Sequence, residues 1–479
     1  MSIFLKNNYP YLVGGFAVFT ILAFLQLFEL ALGVMAVLPL FLLLGIAFRD
    51  HSLEVRLLSI VYLTGQIICW VLAFLGCIYI IPLLDHPYII PAFNLPIRHP
   101  MVTMILINLI TWGAVFGSLL AFPPRNRKTK PPLFPALPEN LILKGIGITG
   151  IIFIIFLISH YYSGSLSARL LVGNRLPIGS GLYWLSGLGI LPYLFFFFLG
   201  AHLNFPLFSL INLIRAVILL ICMFLVSLAG GRDYSLVIFL FFLGGTLYSK
   251  VSLKTMILLV AGTIPLLLAL FIVIGAVRTP DFMKADVDQR LKYIVETPLG
   301  KTGKNWKFHV SRLISRIGND LSGQVVIDNV VESQKFVGFV NFERLSMIFL
   351  PKILIGEKLP ADDSLERLQK GHGLPPNWNP PLSFMADSFE RGGYLITFLA
   401  SFLTSLWLTS VGRLLHKYSP PLFRAMLLVA FASVCFKIFA FPLIETIRQT
   451  SYVFVKQTIL IGAILSIIYF LPTPRAQTT

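Results

Sequence analysis

Pro380-Pro381-Leu382-Ser383-Phe384-Met385-Ala386-Asp387-Ser388-Phe389-Glu390-Arg391-Gly392-Gly393-Tyr394-Leu395-Ile396 marks the place where a long polar stretch gives way to lipid-soluble sequence. After Pro381 the pattern predicts a helix. On it Asp387, Glu390 and Arg391, at i, i+3 and i+4, share one face just above a membrane. From Tyr394 onward the chain turns apolar. Upstream, polar character runs back to Arg278, where another apolar run ends at Ile274-Gly275-Ala276-Val277. The interval 278–391 holds 14 of the 21 acidic residues. At roughly 110 residues it far exceeds an ordinary connection, and segments of that size usually carry function. It reads as an extracytoplasmic domain or flap over a membrane-embedded site.

The rest of the chain supports that reading. Of its 479 residues 57% are hydrophobic and only 12% charged, and the mean hydropathy is +0.84. Soluble domains carry about 25% charged residues, so the composition predicts a polytopic membrane protein. The apolar runs are long and uninterrupted, which excludes a β-barrel, whose strands alternate over about ten residues. The net charge of +17 does not call for nucleic acid. Lys and Arg at cytoplasmic helix ends account for much of it, with anionic lipid or a phosphorylated lipid substrate as further partners. Cys69, Cys77, Cys222 and Cys435 all fall in apolar runs, so neither a disulfide framework nor a metal-thiolate site is expected. The N-terminal apolar run lacks a small-residue cleavage pattern and reads as a retained helix.

A spanning helix needs about 20 mainly apolar residues. That rule predicts an all-α fold with twelve spans, near 11–29, 31–48, 57–83, 101–122, 141–162, 181–203, 208–229, 234–249, 256–277, 393–413, 422–443 and 454–472. Basic clusters test the count, because cytoplasmic loops carry the excess of Lys and Arg. Arg49 and Arg56, then Arg125 to Lys130, then Lys250 and Lys254, then Arg413, Lys417 and Arg424 fall in phase with twelve crossings. Both termini are then cytoplasmic, and Lys144 and Arg215 are expected to snorkel at cytoplasmic helix ends. The organisation is helices one to nine in 1–277, an extracytoplasmic loop or domain in 278–391, and helices ten to twelve in 392–479. The outer face includes Arg98 and His99, Arg169 and Arg175, and a turn at 444–453 with Glu445 and Arg448. The Phe195 to Phe198 run reads as lipid-facing bulk.

Within the large loop, residues 308–321 have the spacing of an amphipathic helix, with Val310, Leu313, Ile314, Ile317 and Leu321 on one side. The aromatic and aliphatic segment 335–360 is suited to pack back on the bundle. The stretch Gly371-His372-Gly373-Leu374-Pro375-Pro376 is rich in turn residues and predicts an ordered loop.

Arg232 is the sharpest single signal. It follows Ser227-Leu228-Ala229-Gly230-Gly231, whose glycines permit a tight turn, and is pinned between two helices. A rigidly held guanidinium at a membrane surface suits bidentate binding of phosphate oxygens. The competing reading is that Arg232 pairs with Asp233 or lipid headgroups and only marks the interface. Arg169 and Arg175 run against the inside bias and, with Arg232, would build a cationic rim. Arg278 and Arg312 are further candidates for it. His372 is a candidate general base near neutral pH. Asp387 and Glu390 are alternative bases or hydroxyl-orienting groups, against the simpler reading that acids favour a helix N-terminus. Walker, zinc-protease, nucleophile-elbow and dinucleotide motifs are missing. So are mid-bilayer charges in several helices, which an ion-driven transporter would need.

Two segments bring a known family into view. Ser227-Leu228-Ala229-Gly230-Gly231-Arg232-Asp233 resembles the Ser-Gly-x-Arg-Gly turn of bacterial O-antigen and exopolysaccharide repeat-unit polymerases of the Wzy type. The return from Pro380 to Tyr394 is similar to that family's Pro-Ser-Phe, acid, aromatic, Gly pattern, and the helix order resembles the wider O-antigen polymerase and ligase superfamily. Asp233 departs from the small residue usual there, and a ligase-like histidine is matched only by His372. The resemblance implies a glycosyltransferase of the bacterial plasma membrane that polymerises undecaprenyl-pyrophosphate-linked oligosaccharides at the outer face. Arg232, Arg169 and Arg175, helped by Arg278 and Arg312, would hold the pyrophosphate. His372, Asp387 or Glu390 would serve the acceptor hydroxyl. Lipid pyrophosphate is a good leaving group, so the resemblance implies neither metal nor cofactor. A chain-length regulator and a flippase are the implied protein partners. The alternatives are an O-antigen ligase acting on lipid A-core, and a lipid-linked oligosaccharide flippase or exporter.

Overall fold

The computed structural model describes residues 13–23, 27–80, 97–123, 134–135, 137–162, 190–203, 209–229, 232–249, 322–340, 342, 366–372 and 382–470. Among these residues the chain is all α, with no strand. The helices are α1 Val13–Ala23, α2 Phe28–Arg49, α3 Leu53–Ile80, α4 Pro100–Ala121 and α5 Glu139–Tyr162. They continue as α6 Leu191–Ala201, α7 Leu210–Ala229, α8 Arg232–Leu247 and α9 Ser322–Ser333. The last three are α10 Phe384–Tyr418, α11 Pro421–Ala440 and α12 Leu443–Phe470. Seven helices among the described residues (α2, α3, α4, α5, α10, α11 and α12) are long and apolar enough to cross a membrane. The expected span 256–277 and the expected amphipathic helix 308–321 lie outside the described residues.

The chain divides into two compact units. The first comprises Met1–Leu133, Ile314–Ser419 and Val434–Val455. In it α10 packs along α4, and the Gly113-x-x-x-Gly117 spacing is what permits the approach. A β-carbon at Gly117 would overlap the Phe402 carbonyl, the close contact that small residues allow between membrane helices. A seam of hydroxyls then fixes α3, α4 and α10 in register. Ser59 Oγ donates to the Ser405 carbonyl at 3.0 Å and lies 2.7 Å from Thr409 Oγ1. The Tyr62 hydroxyl is 2.9 Å from Ser401 Oγ, which donates onward to the Ile110 carbonyl at 2.7 Å. Thr409 Oγ1 donates to Ser118 Oγ at 2.9 Å. Such interhelical bonds are worth about 0.6 kcal/mol each on average. Because Ser59 meets Thr409 while Tyr62 meets Ser401, α3 and α10 run antiparallel.

The expected turn at 444–453 is helical. α12 begins at Leu443, directly after the extended residue Pro442, and continues through a widened π segment, Gln449–Val453. Glu445, Arg448 and Gln449 are polar, but at i, i+3 and i+4 they bond one another along the helix surface. Their charge therefore does not end the helix.

The second unit comprises Phe134–Leu313, Pro420–Ser433 and Lys456–Thr479. Here the Phe195 to Phe198 run corrects its expected role. Phe196, Phe197 and Phe198 are fully buried, because glycines on neighbouring helices make room for them. A β-carbon at Gly145 of α5 would strike the Phe198 ring, and one at Gly245 of α8 the Phe197 carbonyl. Arg215 does not snorkel either. It is buried and folds back on the end of α6, donating to the His202 carbonyl and to Asn212 Oδ1, both at 2.8 Å.

Candidate active site

The start of α10 is built as a short helix of its own. Ser383, in extended conformation, caps it by accepting a hydrogen bond from the Ala386 amide at 3.3 Å. Helical geometry then breaks at Gly392 and Gly393. Gly393 has φ 69° and ψ −154°, a backbone region that only glycine enters freely. Phe384–Arg391 is thus set off from the apolar length that follows. The carbonyls left open by the break find partners. The Val337 amide donates to the Glu390 carbonyl at 2.9 Å, and the Gly338 amide to the Arg391 carbonyl at 3.1 Å.

Four charged side chains and a histidine converge on this turn. Arg367, from a helical turn at Arg367–Gly371, donates to Asp387 Oδ1 with one nitrogen and to Glu390 Oε2 with the other. Arg391 Nε donates to Asp387 Oδ2 at 3.1 Å, and the Leu443 amide donates to the same oxygen at 2.7 Å. Arg391 also donates to the carbonyls of Gly338 and Val340 at 3.1 Å, with its guanidinium 5.0 Å from the centre of the Phe342 ring. His372 Nε2 lies 3.0 Å from Glu390 Oε1, and His372 Nδ1 lies 3.2 Å from Asn329 Nδ2. Asp387, Glu390 and Arg391 are at most 2% exposed.

Hydrogen-bond roles follow from donor chemistry. An ionised carboxylate only accepts, so His372 presents Nε2–H to Glu390. Nδ1 is then the accepting nitrogen of a neutral imidazole, and the Asn329 amide donates to it. Asp387 is held by Arg367, Arg391 and the first amide of α12, an arrangement that positions the turn. Glu390 and His372 form the pair through which a proton can pass.

Asn329 is placed by α9, which is anchored to the start of α4. Asp328 accepts from the amides of Arg98 at 3.2 Å and His99 at 3.1 Å, which places its charge at the N-terminal end of α4 just before Pro100. Gln324 adds bonds to Asp328 at 2.8 Å and from Thr103 at 2.7 Å. Glu332 accepts from Arg98 at 2.6 Å.

The sequence candidates His372, Asp387 and Glu390 are therefore brought into one cluster. Arg367 and Asn329 belong to the same cluster and were not singled out by sequence. Arg169, Arg175, Arg278 and Arg312 lie outside the described residues. Arg232 is the first residue of α8, and its side chain also lies outside what is described.

Comparison of the chain with protein-family models, with curated proteins and with solved structures gave no match.

Proposed function

We propose that the chain is a membrane glycosyltransferase that polymerises undecaprenyl-pyrophosphate-linked oligosaccharide repeat units at the outer face of a bacterial plasma membrane. On this reading the start of α10 faces outward, and the polar interval 278–391 stands over the site. The observation that supports it is the part-buried His372–Glu390–Arg367–Asp387 network, built on two buried carboxylates. It is formed around the same return segment whose residues resemble the polymerase family.

The chemistry is a displacement at an anomeric carbon. The acceptor hydroxyl takes the place of the Asn329 amide at His372 Nδ1 and gives up its proton there as its oxygen bonds to the anomeric carbon. The bond from that carbon to the pyrophosphate breaks, and the pyrophosphate leaves with the electron pair. Glu390 steadies the imidazolium that forms, and Arg367 with Asp387 hold Glu390 in place. Arg232, Arg169 and Arg175, with Arg278 and Arg312, take the charge developing on the pyrophosphate. A chain-length regulator and a flippase are the natural partners of such an enzyme.

His372 also favours a second reading, an O-antigen ligase, since a histidine is the feature that the resemblance asks of one and this one meets Glu390 at 3.0 Å. The two differ in the acceptor. Deletion of the gene, complemented with wild type or Arg232→Ala, and sizing of surface and lipid-linked glycan separate the readings. Single repeat units after deletion, and again with Arg232→Ala at normal protein level, are the expected result. Full-length polymer held on carrier lipid identifies the ligase. Repeat units held on the cytoplasmic side identify a flippase. Unchanged glycan overturns all three.

A further inference from the structure

α3 carries a second polar feature that the displacement above does not use. Gln66 and Trp70, one turn apart, are 1% and 2% exposed. Neither the amide nitrogen nor the amide oxygen of Gln66 has a hydrogen-bond partner, and the Trp70 indole nitrogen has none. Buried polar groups are nearly always satisfied, because leaving one bare forfeits its hydration with nothing in return. Packing does not explain three such atoms on adjacent turns, since Leu and Phe fill similar space without them. The helix changes character at the same place, passing from α to π over Ile67–Leu72. One-turn π segments, of which α3 has another at Gly76–Ile80, are frequent at functional sites.

Neighbours fix the position. One turn before Gln66, the Tyr62 ring meets Phe384, the first residue of α10, edge to face at 6.1 Å. One turn after it, Trp70 meets α9. A β-carbon at Gly323 would fall 3.0 Å from the indole ring, 2.6 Å from Ser383 Oγ and 2.9 Å from the Ala386 β-carbon. Trp70 thus lies beside Gly323 of α9, Tyr62 lies against the start of α10, and Gln66 stands between them on the same face of α3.

We infer that Gln66 and Trp70 form a subsite for a neutral, hydroxyl-bearing ligand, namely a sugar ring of the lipid-linked substrate. The inference rests on the glycosyltransferase reading and adds where the sugar is held. An amide offers one acceptor and one donor group, and an indole offers a donor beside a broad apolar face. That set matches the hydroxyls and the C–H face of a sugar. It carries no charge and gives pyrophosphate no counterion. The low exposure describes the site before a sugar enters, and admitting a ring requires the α9 contacts at Asp328 and Gln324 to loosen. The hydroxyls of the sugar then satisfy the three atoms that are bare here.

The experiment uses the full-length protein in lipid nanodiscs, with the lipid-linked repeat units extracted from the deletion strain as probe. Thermal midpoints are measured with and without the probe for wild type, Gln66→Leu and Trp70→Phe. Gln66→Leu is expected to raise the probe-free midpoint by about 3 °C, as removal of a bare buried amide should, and to weaken probe binding about tenfold. Trp70→Phe, which keeps an aromatic face but loses the N–H, is expected to weaken it less. An unchanged probe response in both variants overturns the subsite, whatever happens to the probe-free midpoint. Absence of any probe response in wild type instead overturns the glycosyltransferase reading beneath it.

Discussion

Within the first unit, charge is buried at both ends of the α3–α10 pair, in two different ways. At the start of α3, Arg56 is fully buried and donates to neutral oxygens: the Ser52 hydroxyl, the Ser118 hydroxyl and carbonyl, and the Phe122 carbonyl. At the start of α10, two carboxylates, two guanidiniums and an imidazole face one another. Carbonyls and hydroxyls offer Arg56 no second protonation state, so this residue holds helices together, while beside it buried Glu54 meets His416 of α10 at 2.9 Å. The α10 end is a network in which one partner can be exchanged or one proton moved while the remaining charges stay paired. Chemistry is expected at the α10 start, where the charges are linked into one network, and anchoring at Arg56.

The most damaging way to break the comparison is Asp387→Ala. It strips Arg367, Arg391 and the Leu443 amide of a shared acceptor and leaves a buried cation uncompensated, at a cost of about 3–5 kcal/mol. Folded protein recovered from the membrane should fall sharply, and normal recovery would show that the cluster does not support the fold. Next in size is Arg56→Met, which fills similar space but leaves buried carbonyls bare, for about 1–3 kcal/mol. It should lower the thermal midpoint while glycan length, measured at matched protein level, stays that of wild type. Shortened glycan there would mean the two ends do not divide their roles. Asn329→Ala removes a partner that the acceptor hydroxyl displaces in any case, so it should change the rate of ladder growth by no more than about fivefold, about 1 kcal/mol. Glu332→Gln should change neither midpoint nor glycan, because the Arg98 pair is exposed and Asp328 still anchors α9.

Much of this was legible in the sequence because it depends on local pattern. The apolar lengths gave α3, α4, α5 and α11, and the spacing of Asp387, Glu390 and Arg391 placed them on one helix face. His372 was singled out for its chemistry, and its contact with Glu390 follows from the return of the chain. Arg367 was not legible. It is one of many basic residues in 278–391, and only the turn anchored by buried Leu368 aims it at the two acids. Asn329 was missed with its whole helix, although Val325, Val326 and Val330 beside Asp328 and Glu332 carry a helical signal. Polarity misled at 444–453, where the residues satisfy one another within a helix. Hydrophobicity misled at Phe195 to Phe198, because a phenylalanine run reads the same whether it faces lipid or glycines across a helix contact.

The most direct measurement compares purified wild type and Glu390→Gln with lipid-linked repeat units in vitro, reading chain growth as a ladder. Gln keeps the shape of Glu390 and leaves Arg367 paired with Asp387, but it cannot steady a charged His372. Wild type should extend the units, and Glu390→Gln, compared at a matched amount of folded protein because it leaves two guanidiniums facing one carboxylate, should slow the ladder at least about a hundredfold. A Glu390→Gln protein that builds the ladder at the wild-type rate would contradict the account.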